Sequence, residues 1–284
     1  MAVCHLTHTR LDERSPKVGA EPVGCSTSAR QVSLRFSAIP ARESANRRLV
    51  SAGTGTRNWP TPGTSRPSPA ARTASPASPH GILAKIGVND AGVGVLFNIL
   101  GHQDDGVGAV PVHLVARRVL GEAGSFEHAL ALLADAPVSA STVLTVVTAD
   151  RTASVELSPA GSAVVHPDAE GWLVRTNHFL APGLAAGELR GRREPETYDR
   201  HRVLSRRVLG RAAPAGPGEL LTAHGDEDGA QVCCHAPDGG EPGSRWPTLA
   251  TVALDVAGRR LALHKGGPCS AGPATWTSVT ATTR

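Results

Sequence analysis

Apolar and polar positions alternate in several short runs after Gly81. The first two runs, within GILAKIGVNDAGVGVLFNIL, flank an Asn-Asp-x-Gly turn, which is a hairpin signal. Later runs are apolar or rich in β-branched residues, and they predict strands at STVLTVVTAD, ASVELSP, WLVRTNHFL, TLATVALD and RRLALHKG. We expect the second pair of strands to turn at Asp150-Arg151 and the last pair at Val256-Ala257-Gly258.

Helical patterns separate these groups of strands. Pro111 suits the first turn of one helix, and Ser125 suits the N-cap of the next. The run TYDRHRVLSRRVLGRA has helical spacing, and PGELLTAHGD predicts a short helix. Because the elements show no repeated β-α-β rhythm, the sequence predicts an α+β fold with antiparallel sheets and helices packed outside them.

The segment from about residue 26 to residue 80 has a different texture. It is rich in Ser, Thr, Pro, Arg and Ala, and Glu43 is its one acidic residue. Such a composition does not bury enough apolar area to offset the entropy of ordering the chain, so the segment alone is predicted to be disordered. The chain has 26 Arg and only three Lys, which is typical of a GC-rich gene. Translation of much of residues 28–80 out of frame is one hypothesis for this texture.

Composition excludes several classes of function. The net charge of +4 arises largely from the first eighty residues, and aromatic residues are only 3% of the chain, so we expect no nucleic-acid partner. The chain has neither an apolar run of transmembrane length nor an export signal, so we expect no membrane partner and a cytoplasmic location. Five cysteines, an odd number, do not suggest a disulfide framework.

The stretch EPVGCST raises the question of an N-terminal nucleophile. If the chain were cut between Gly24 and Cys25, the freed α-amino group, with a pKa of about 8, could act as the base for the adjacent thiol. Asn177 and His178 follow an apolar run, where an amide or imidazole could donate to a developing oxyanion. Ordinary turn chemistry is the alternative for this pair, and also for Asn89 in the first hairpin.

Signals for a cofactor or a metal ion are missing from the sequence. No HExxH, P-loop or dinucleotide motif is present, so we expect no cofactor. The histidines at 224, 235 and 264 are scattered without local ligand spacing, and we expect no metal site from them. A zinc-dependent hydrolase built on these histidines is an alternative that metal analysis would test. The remaining cysteines are interpreted as inert thiols: Cys4, Cys233, Cys234 and Cys269.

Five blocks in order resemble the acyl-coenzyme A:6-aminopenicillanic acid acyltransferase family, also called peptidase C45. They are GILAKIGVNDAGVGVLFNIL, GAVPVHLVARRVL, RTNHFL, ELLTAHGDEDGAQVCCHAPDG, and TLATVALD followed by LHKGGPC. The resemblance implies a four-layer αββα N-terminal nucleophile hydrolase sandwich, made as a precursor that cleaves itself before a cysteine. It implies Cys25 as nucleophile after cleavage at Gly24, Asn177 as oxyanion donor, and Asn89 and His178 in the neighbourhood of substrate.

The resemblance also implies a domain organisation and a reaction. Residues 1–24 would be a short pro-segment, 25–80 a degenerate or disordered region, and 81–284 the acyltransferase or hydrolase domain. The enzyme would cleave amide or thioester bonds of small molecules, with an acyl-coenzyme A as one candidate acyl donor. Oligomeric state is not predicted.

The N-terminal third departs from the family pattern. The family has a motif resembling NWDW where this chain has Arg57-Asn58-Trp59-Pro60, so an expected acidic residue is missing. We therefore expect the sandwich to be incomplete in its N-terminal third. The alternative function is a catalytically inactive remnant or interaction module of the same family.

Overall fold

The computed structural model describes residues 84–209, 218–235 and 247–281, and the backbone of three strands nearer the N terminus. The described strands form two six-stranded sheets, and every strand pairing within them is antiparallel. Sheet A has the order β12-β11-β10-β1-β2-β9, and sheet B has the order β3-β4-β5-β6-β7-β8. The antiparallel arrangement predicted from the sequence is confirmed.

Sheet B is built from strands that neighbour each other in the chain. Its strands are β3 (Ala74–Ala77), β4 (Ile86–Asn89), β5 (Gly94–Ile99), β6 (Thr142–Val147), β7 (Thr152–Ser158) and β8 (Gly161–Val165). The predicted hairpins around residues 90–93 and 148–151 are both confirmed. The short strand β8 was not predicted, because its mostly exposed and partly polar residues give a weak strand signal.

Sheet A combines strands from both ends of the chain. Its strands are β1 (Ala2–Thr9), β2 (Gln31–Ser37), β9 (Val174–Arg175), β10 (Thr248–Asp255), β11 (Arg260–Lys265) and β12 (Trp276–Thr280). The predicted hairpin of β10 and β11 is confirmed. In the sheet, strand β1 lies between β10 and β2. In the sequence, it belongs to residues 1–24, which were expected to be a pro-segment. Strands β2 and β3 lie within residues 25–80.

The described residues form six α-helices, three of which are longer than two turns. They are α1 (Val112–Glu122), α2 (Phe126–Ala134), α3 (Pro182–Ala185), α4 (Arg190–Arg193), α5 (Glu196–Val208) and α6 (Gly225–Asp228). Ser125 caps α2 as predicted, because its hydroxyl accepts a 3.1 Å hydrogen bond from the His128 N–H. The helix predicted in PGELLTAHGD is one turn of 3-10 helix at Glu219–Leu221. None of the described helices is long and apolar enough to cross a bilayer.

The layers follow from which face each strand buries. Helices α1 and α2 pack on sheet B, and sheet B packs on sheet A through β2 against β5 and β11 against β4. In β10, Val252 and Leu254 belong to the core shared with sheet B, whereas Ala253 belongs to a second core with Val203 and Leu204 of α5. This alternation places α5 on the outer face of sheet A. The molecule is therefore a four-layer αββα sandwich, as predicted.

Candidate active site

The segment Thr176–His178 leaves β9 and runs through a wholly buried region. The sequence predicts a strand over WLVRTNHFL, but pairing is limited to Val174–Arg175. Side chains, rather than a neighbouring strand, satisfy the backbone after Arg175. The Asn177 N–H donates to the Thr197 hydroxyl at 2.7 Å, and the Phe179 N–H donates to the Glu188 carboxylate at 2.7 Å. The strand prediction was too long because these acceptors replace the ladder.

Asn177 lies where the two sheets meet. Its Nδ2 donates to the Ile99 carbonyl at the end of β5, at 3.0 Å, so a residue that follows sheet A is tied to sheet B. Its Oδ1 faces Arg200 Nη2 at 3.5 Å. These two partners fix which way the amide points, because a carbonyl needs a donor and a guanidinium needs an acceptor. The side chain is fully buried and held in one orientation.

The charge of Arg200 affects the donor strength of Asn177. A cation beside Oδ1 draws electron density from the amide, which makes its N–H groups stronger donors. Nδ2 carries two hydrogens, and among the described residues only the Ile99 carbonyl accepts one of them. The remaining N–H is the group that an oxyanion donor needs.

His178 is buried beside cationic groups. Its Nδ1 lies 3.1 Å from the Thr176 hydroxyl, and its ring contacts those of Tyr198 and His201. Burial, and then the charges of His201, Arg175 and Arg200, lowers the pKa of His178 to about 3. The imidazole is therefore neutral near pH 7, and it would face an anion only as a neutral donor.

Two buried carboxylates hold the turn that follows Asn177. Glu156 on β7 pairs with Arg175 Nη2 at 2.6 Å and accepts the N–H groups of Leu180 and Ala181 at 2.7 and 3.1 Å. Glu188 accepts the N–H groups of Phe179 and Gly191. These acidic residues stand apart in the sequence, and their positioning role became visible only in the structure.

Arg175 depends strongly on Glu156 for charge compensation. Both side chains are at most 1% exposed. Burial lowers the pKa of the Arg175 guanidinium, and the Glu156 carboxylate opposes that effect. Within the described part of the chain, Nε and Nη1 of Arg175 have no hydrogen-bond acceptor. This ion pair therefore holds the start of the segment that carries Asn177. Removing either partner would leave the other charge buried and would strongly lower the stability of the protein.

Asn89 serves the first hairpin. Its Oδ1 accepts the N–H groups of Ala91 and Val93, both at 3.0 Å, and its Nδ2 donates to the Ala123 carbonyl at 2.7 Å. These bonds close the turn after β4 and tie it to the end of α1. They do not connect Asn89 with Asn177, whose partners come from β5 and α5. These three hydrogen bonds support the interpretation of Asn89 as a turn residue.

The proposed cleavage site, Gly24 and Cys25, lies outside the described residues. Strand β2 begins six residues after Cys25, at Gln31. It pairs antiparallel with β9, with Ser37 opposite Val174 and Phe36 opposite Arg175. Going back along β2 from Phe36 therefore leads toward the end of β9 from which Asn177 follows.

A family model describes most of this chain. The model for acyl-coenzyme A:6-aminopenicillanic acid acyl-transferase matches residues 76–268. The chain belongs to this family. The matched range includes Asn177 and both carboxylates that hold its segment, whereas Cys25 precedes the range.

One curated relative can be compared with this chain by sequence identity and coverage. The 40 kDa form of acyl-coenzyme A:6-aminopenicillanic-acid-acyltransferase from Emericella nidulans is 28% identical over 189 residues. The alignment covers 66% of this chain and 52% of the relative, so the family member described here spans about half the length of the curated relative that it matches.

Solved structures resemble this family member at lower identity. A penicillin V acylase from Agrobacterium tumefaciens matches with a TM-score of 0.46 at 13% identity, covering 93% of this chain and 82% of the acylase. A conjugated bile acid hydrolase variant from Clostridium perfringens matches with a TM-score of 0.46 at 10% identity, covering 99% of this chain and 92% of the hydrolase.

A second group of reactive side chains lies in the C-terminal part of this family member. His224 and His235, interpreted as scattered from the sequence, have Nε2 atoms 3.1 Å apart. Cys233 and Cys269 lie beside them, whereas His264 bonds to the Ser270 hydroxyl instead. The interpretation of His224 and His235 as scattered is therefore corrected. The one local signal was the Cys-x-His spacing of residues 233–235; His224 lies nine residues before Cys233, and Cys269 comes from the turn after β11.

Proposed function

We propose that this protein transfers acyl groups from small-molecule amides or thioesters through Cys25, freed as an N-terminal nucleophile by cleavage after Gly24. Family membership supports the reaction class. The observation that carries the proposal is the placement of Asn177, a buried amide with an arginine at its oxygen and a second N–H that no described residue accepts.

The path of β2 supports the pairing of Cys25 with Asn177. The N-terminal end of β2 points toward the end of β9 that leads into Asn177. An extended chain spans at most about 3.3–3.6 Å per residue, so the six residues from Cys25 to Gln31 can cover roughly 20 Å. We propose that this stretch brings the Cys25 thiol to Asn177.

Self-cleavage would precede catalysis. The Cys25 sulfur attacks the Gly24 carbonyl carbon, the C–N bond breaks, and the chain becomes a thioester with a free Cys25 amine. Water then hydrolyses the thioester, which leaves a carboxylate on Gly24 and a thiol on Cys25. The new α-amine, with a pKa of about 8, serves as the base in later turnovers.

The same groups would then act on the substrate. The α-amine takes the thiol proton as sulfur attacks the acyl carbon, and Asn177 donates to the oxygen that becomes negative. The amine or thiol product leaves with that proton, and the acyl group stays on Cys25 as a thioester. Water or an acceptor amine attacks the thioester and restores the free thiol. No cofactor takes part in these steps.

The substrate class follows from the reaction and from the family name. We propose small-molecule amides and acyl-coenzyme A thioesters as donors, used in a reducing, cytosolic setting where Cys25 stays a thiol. Neither a nucleic acid nor a membrane is needed as partner.

Trapping of the acyl-enzyme tests this function. The purified protein should be incubated with a panel of amide and acyl-coenzyme A donors, quenched in acid and measured by peptide mass spectrometry. We expect an acyl adduct on the peptide that begins at Cys25, absent in Cys25→Ala and retained in Cys4→Ala, the matched control. An adduct that survives in Cys25→Ala would show that another residue is acylated and would overturn the role of Cys25, whereas no turnover of any donor would favour the inactive-remnant alternative.

A further inference from the structure

We propose that His224, Cys233, His235 and Cys269 form a structural zinc site, a role that is independent of Cys25 and of the proposed acyl transfer. Each residue offers one ligand atom, and these four atoms all lie within 4.8 Å of one another. Two thiolates and two imidazoles are a ligand set that Zn²⁺ prefers.

Four of the six distances between these atoms match the edges of a zinc tetrahedron, and the two from His224 to the cysteine sulfurs are at most 4.8 Å. The two sulfurs are 3.5 Å apart, the two Nε2 atoms are 3.1 Å apart, and His235 Nε2 lies 3.5 Å from Cys233 and 3.3 Å from Cys269. With Zn–S near 2.3 Å and Zn–N near 2.0–2.1 Å, a regular tetrahedron has edges of about 3.8 Å for S–S, about 3.5 Å for S–N and about 3.3 Å for N–N. Each of these four separations is therefore within about 0.3 Å of the expected edge.

The backbone around the cluster holds the ligands in place. The Cys233 N–H donates to the Ala223 carbonyl at 2.8 Å, which brings Ala223, the residue before His224, against Cys233. On the other side, the Thr248 N–H donates to the Cys234 carbonyl at 2.8 Å. The first bond closes the segment that carries three of the proposed ligands, and the second joins that segment to the start of β10.

The fourth ligand comes from the turn after β11. Cys269 lies in a single 3-10 turn, Pro268–Ser270. A Cβ at Gly267 would lie 2.5 Å from the Cys233 sulfur, so only glycine allows this turn to approach so closely. The Ser270 hydroxyl donates to the Gly267 carbonyl at 2.8 Å and braces the same turn.

The cluster suits a structural ion better than a catalytic one. Four protein ligands complete the tetrahedron, whereas a catalytic zinc keeps one position open for water or substrate. Cys233 is buried, and His235 and Cys269 are exposed, so an ion could enter from the surface. Bound there, it would link residues 224–235 to the turn that follows β11.

A disulfide between Cys233 and Cys269 is the competing chemistry for these thiols. Their sulfurs are 3.5 Å apart and both cysteines are free. A disulfide requires about 2.05 Å between sulfurs, so the two thiols would have to move together. It would also leave both imidazoles without a role, whereas zinc uses all four groups.

Cobalt substitution of the reduced, full-length protein tests the site. We expect one Co²⁺ per chain, with the ligand-field bands of tetrahedral cobalt and a thiolate-to-cobalt charge-transfer band. Both should disappear when one equivalent of Zn²⁺ displaces the cobalt. Elemental analysis of the protein as purified should find zinc, and its removal by a chelator should lower the unfolding temperature.

Variants separate this site from adventitious binding. His235→Ala and Cys269→Ser change exposed ligands and should abolish the cobalt bands, whereas His128→Ala and Cys234→Ser should keep them. Bands unchanged in the ligand variants, failure of the reduced protein to bind either metal, or a Cys233–Cys269 disulfide in the protein as purified would overturn the proposal. Circular dichroism spectra of the variants show whether each one is folded, and Cys269→Ser and His235→Ala are independent routes to the same result.

Discussion

Sheet B and sheet A are each six strands wide, but they are assembled from the chain in different ways. From β4 to β8, each strand of sheet B pairs with the next one along the chain. Sheet A instead places β1 beside β10, with Ala2 opposite Leu254. Asn177 sits where the two meet, because it follows β9 of sheet A and bonds to the end of β5 of sheet B. The candidate site thus depends on contacts that are distant in sequence.

The largest loss of stability is expected when the ion pair between Glu156 of sheet B and Arg175 of sheet A is broken. Glu156→Gln keeps the shape of the side chain but removes the carboxylate that forms the ion pair with buried Arg175, which should cost about 3–5 kcal/mol of unfolding free energy. Urea denaturation measures this loss. Glu170→Gln, at an exposed position, is the matched control and should change stability little. Equal stability of both variants would show that the ion pair is not needed.

The prediction from sequence was strongest where pairing is local. The hairpins around residues 90–93 and 148–151 and the cap at Ser125 are short-range features, set by turn and cap chemistry within a few residues. The grouping of strands and helices predicted antiparallel sheets with helices outside them, whereas the four layers were implied by the family resemblance.

The contacts of the candidate site could not be predicted in the same way. Glu156, Glu188 and Thr197 bond to the backbone of residues 177–181 from separate elements, and no periodicity in the sequence marks them. The same is true of Cys269, which joins Cys233 only after β10 and β11 have folded back. Polar contacts over long sequence distances leave no local signature.

The next largest effect should appear in catalysis rather than in folding. Asn177→Ala removes the proposed oxyanion donor and should lower kcat by about 10²–10³-fold with a smaller change in KM. The measurement is steady-state hydrolysis of whichever donor the acyl-enzyme screen identifies. Asn177→Asp retains the shape without an N–H donor and should be similarly impaired. Full activity in both variants would remove Asn177 from the mechanism.

A smaller effect tests the packing of α1 on sheet B. A Cβ at Gly87 would lie 2.3 Å from the Leu120 side chain, so Gly87→Ala should cost about 1–3 kcal/mol by overpacking. Gly121→Ala, in α1 with open space around it, should instead stabilise the protein by about 0.5–1 kcal/mol. Thermal unfolding of the two variants should shift in opposite directions, and shifts of the same sign would contradict this packing.

The last expected effect concerns stability and is confined to acid pH. His178 has a pKa of about 3 in the folded protein, against about 6.5 when unfolded, so the unfolded chain binds more protons between these values. Its contribution to stability is present above pH 6.5 and is lost as the pH falls toward 3, at up to about 1.4 kcal/mol per pH unit. Denaturation at pH 7 and pH 5 should show a weaker pH dependence in His178→Gln. An unchanged dependence would mean that His178 is not buried in neutral form.

The central proposal, that Cys25 becomes a free N-terminal nucleophile, is tested most directly by intact-mass spectrometry of freshly purified protein. The account predicts a product that begins at Cys25, absent in Cys25→Ala and present in Cys4→Ala. An uncleaved chain in the unaltered protein would contradict the account, because the thiol would then lack the α-amine that serves as its base.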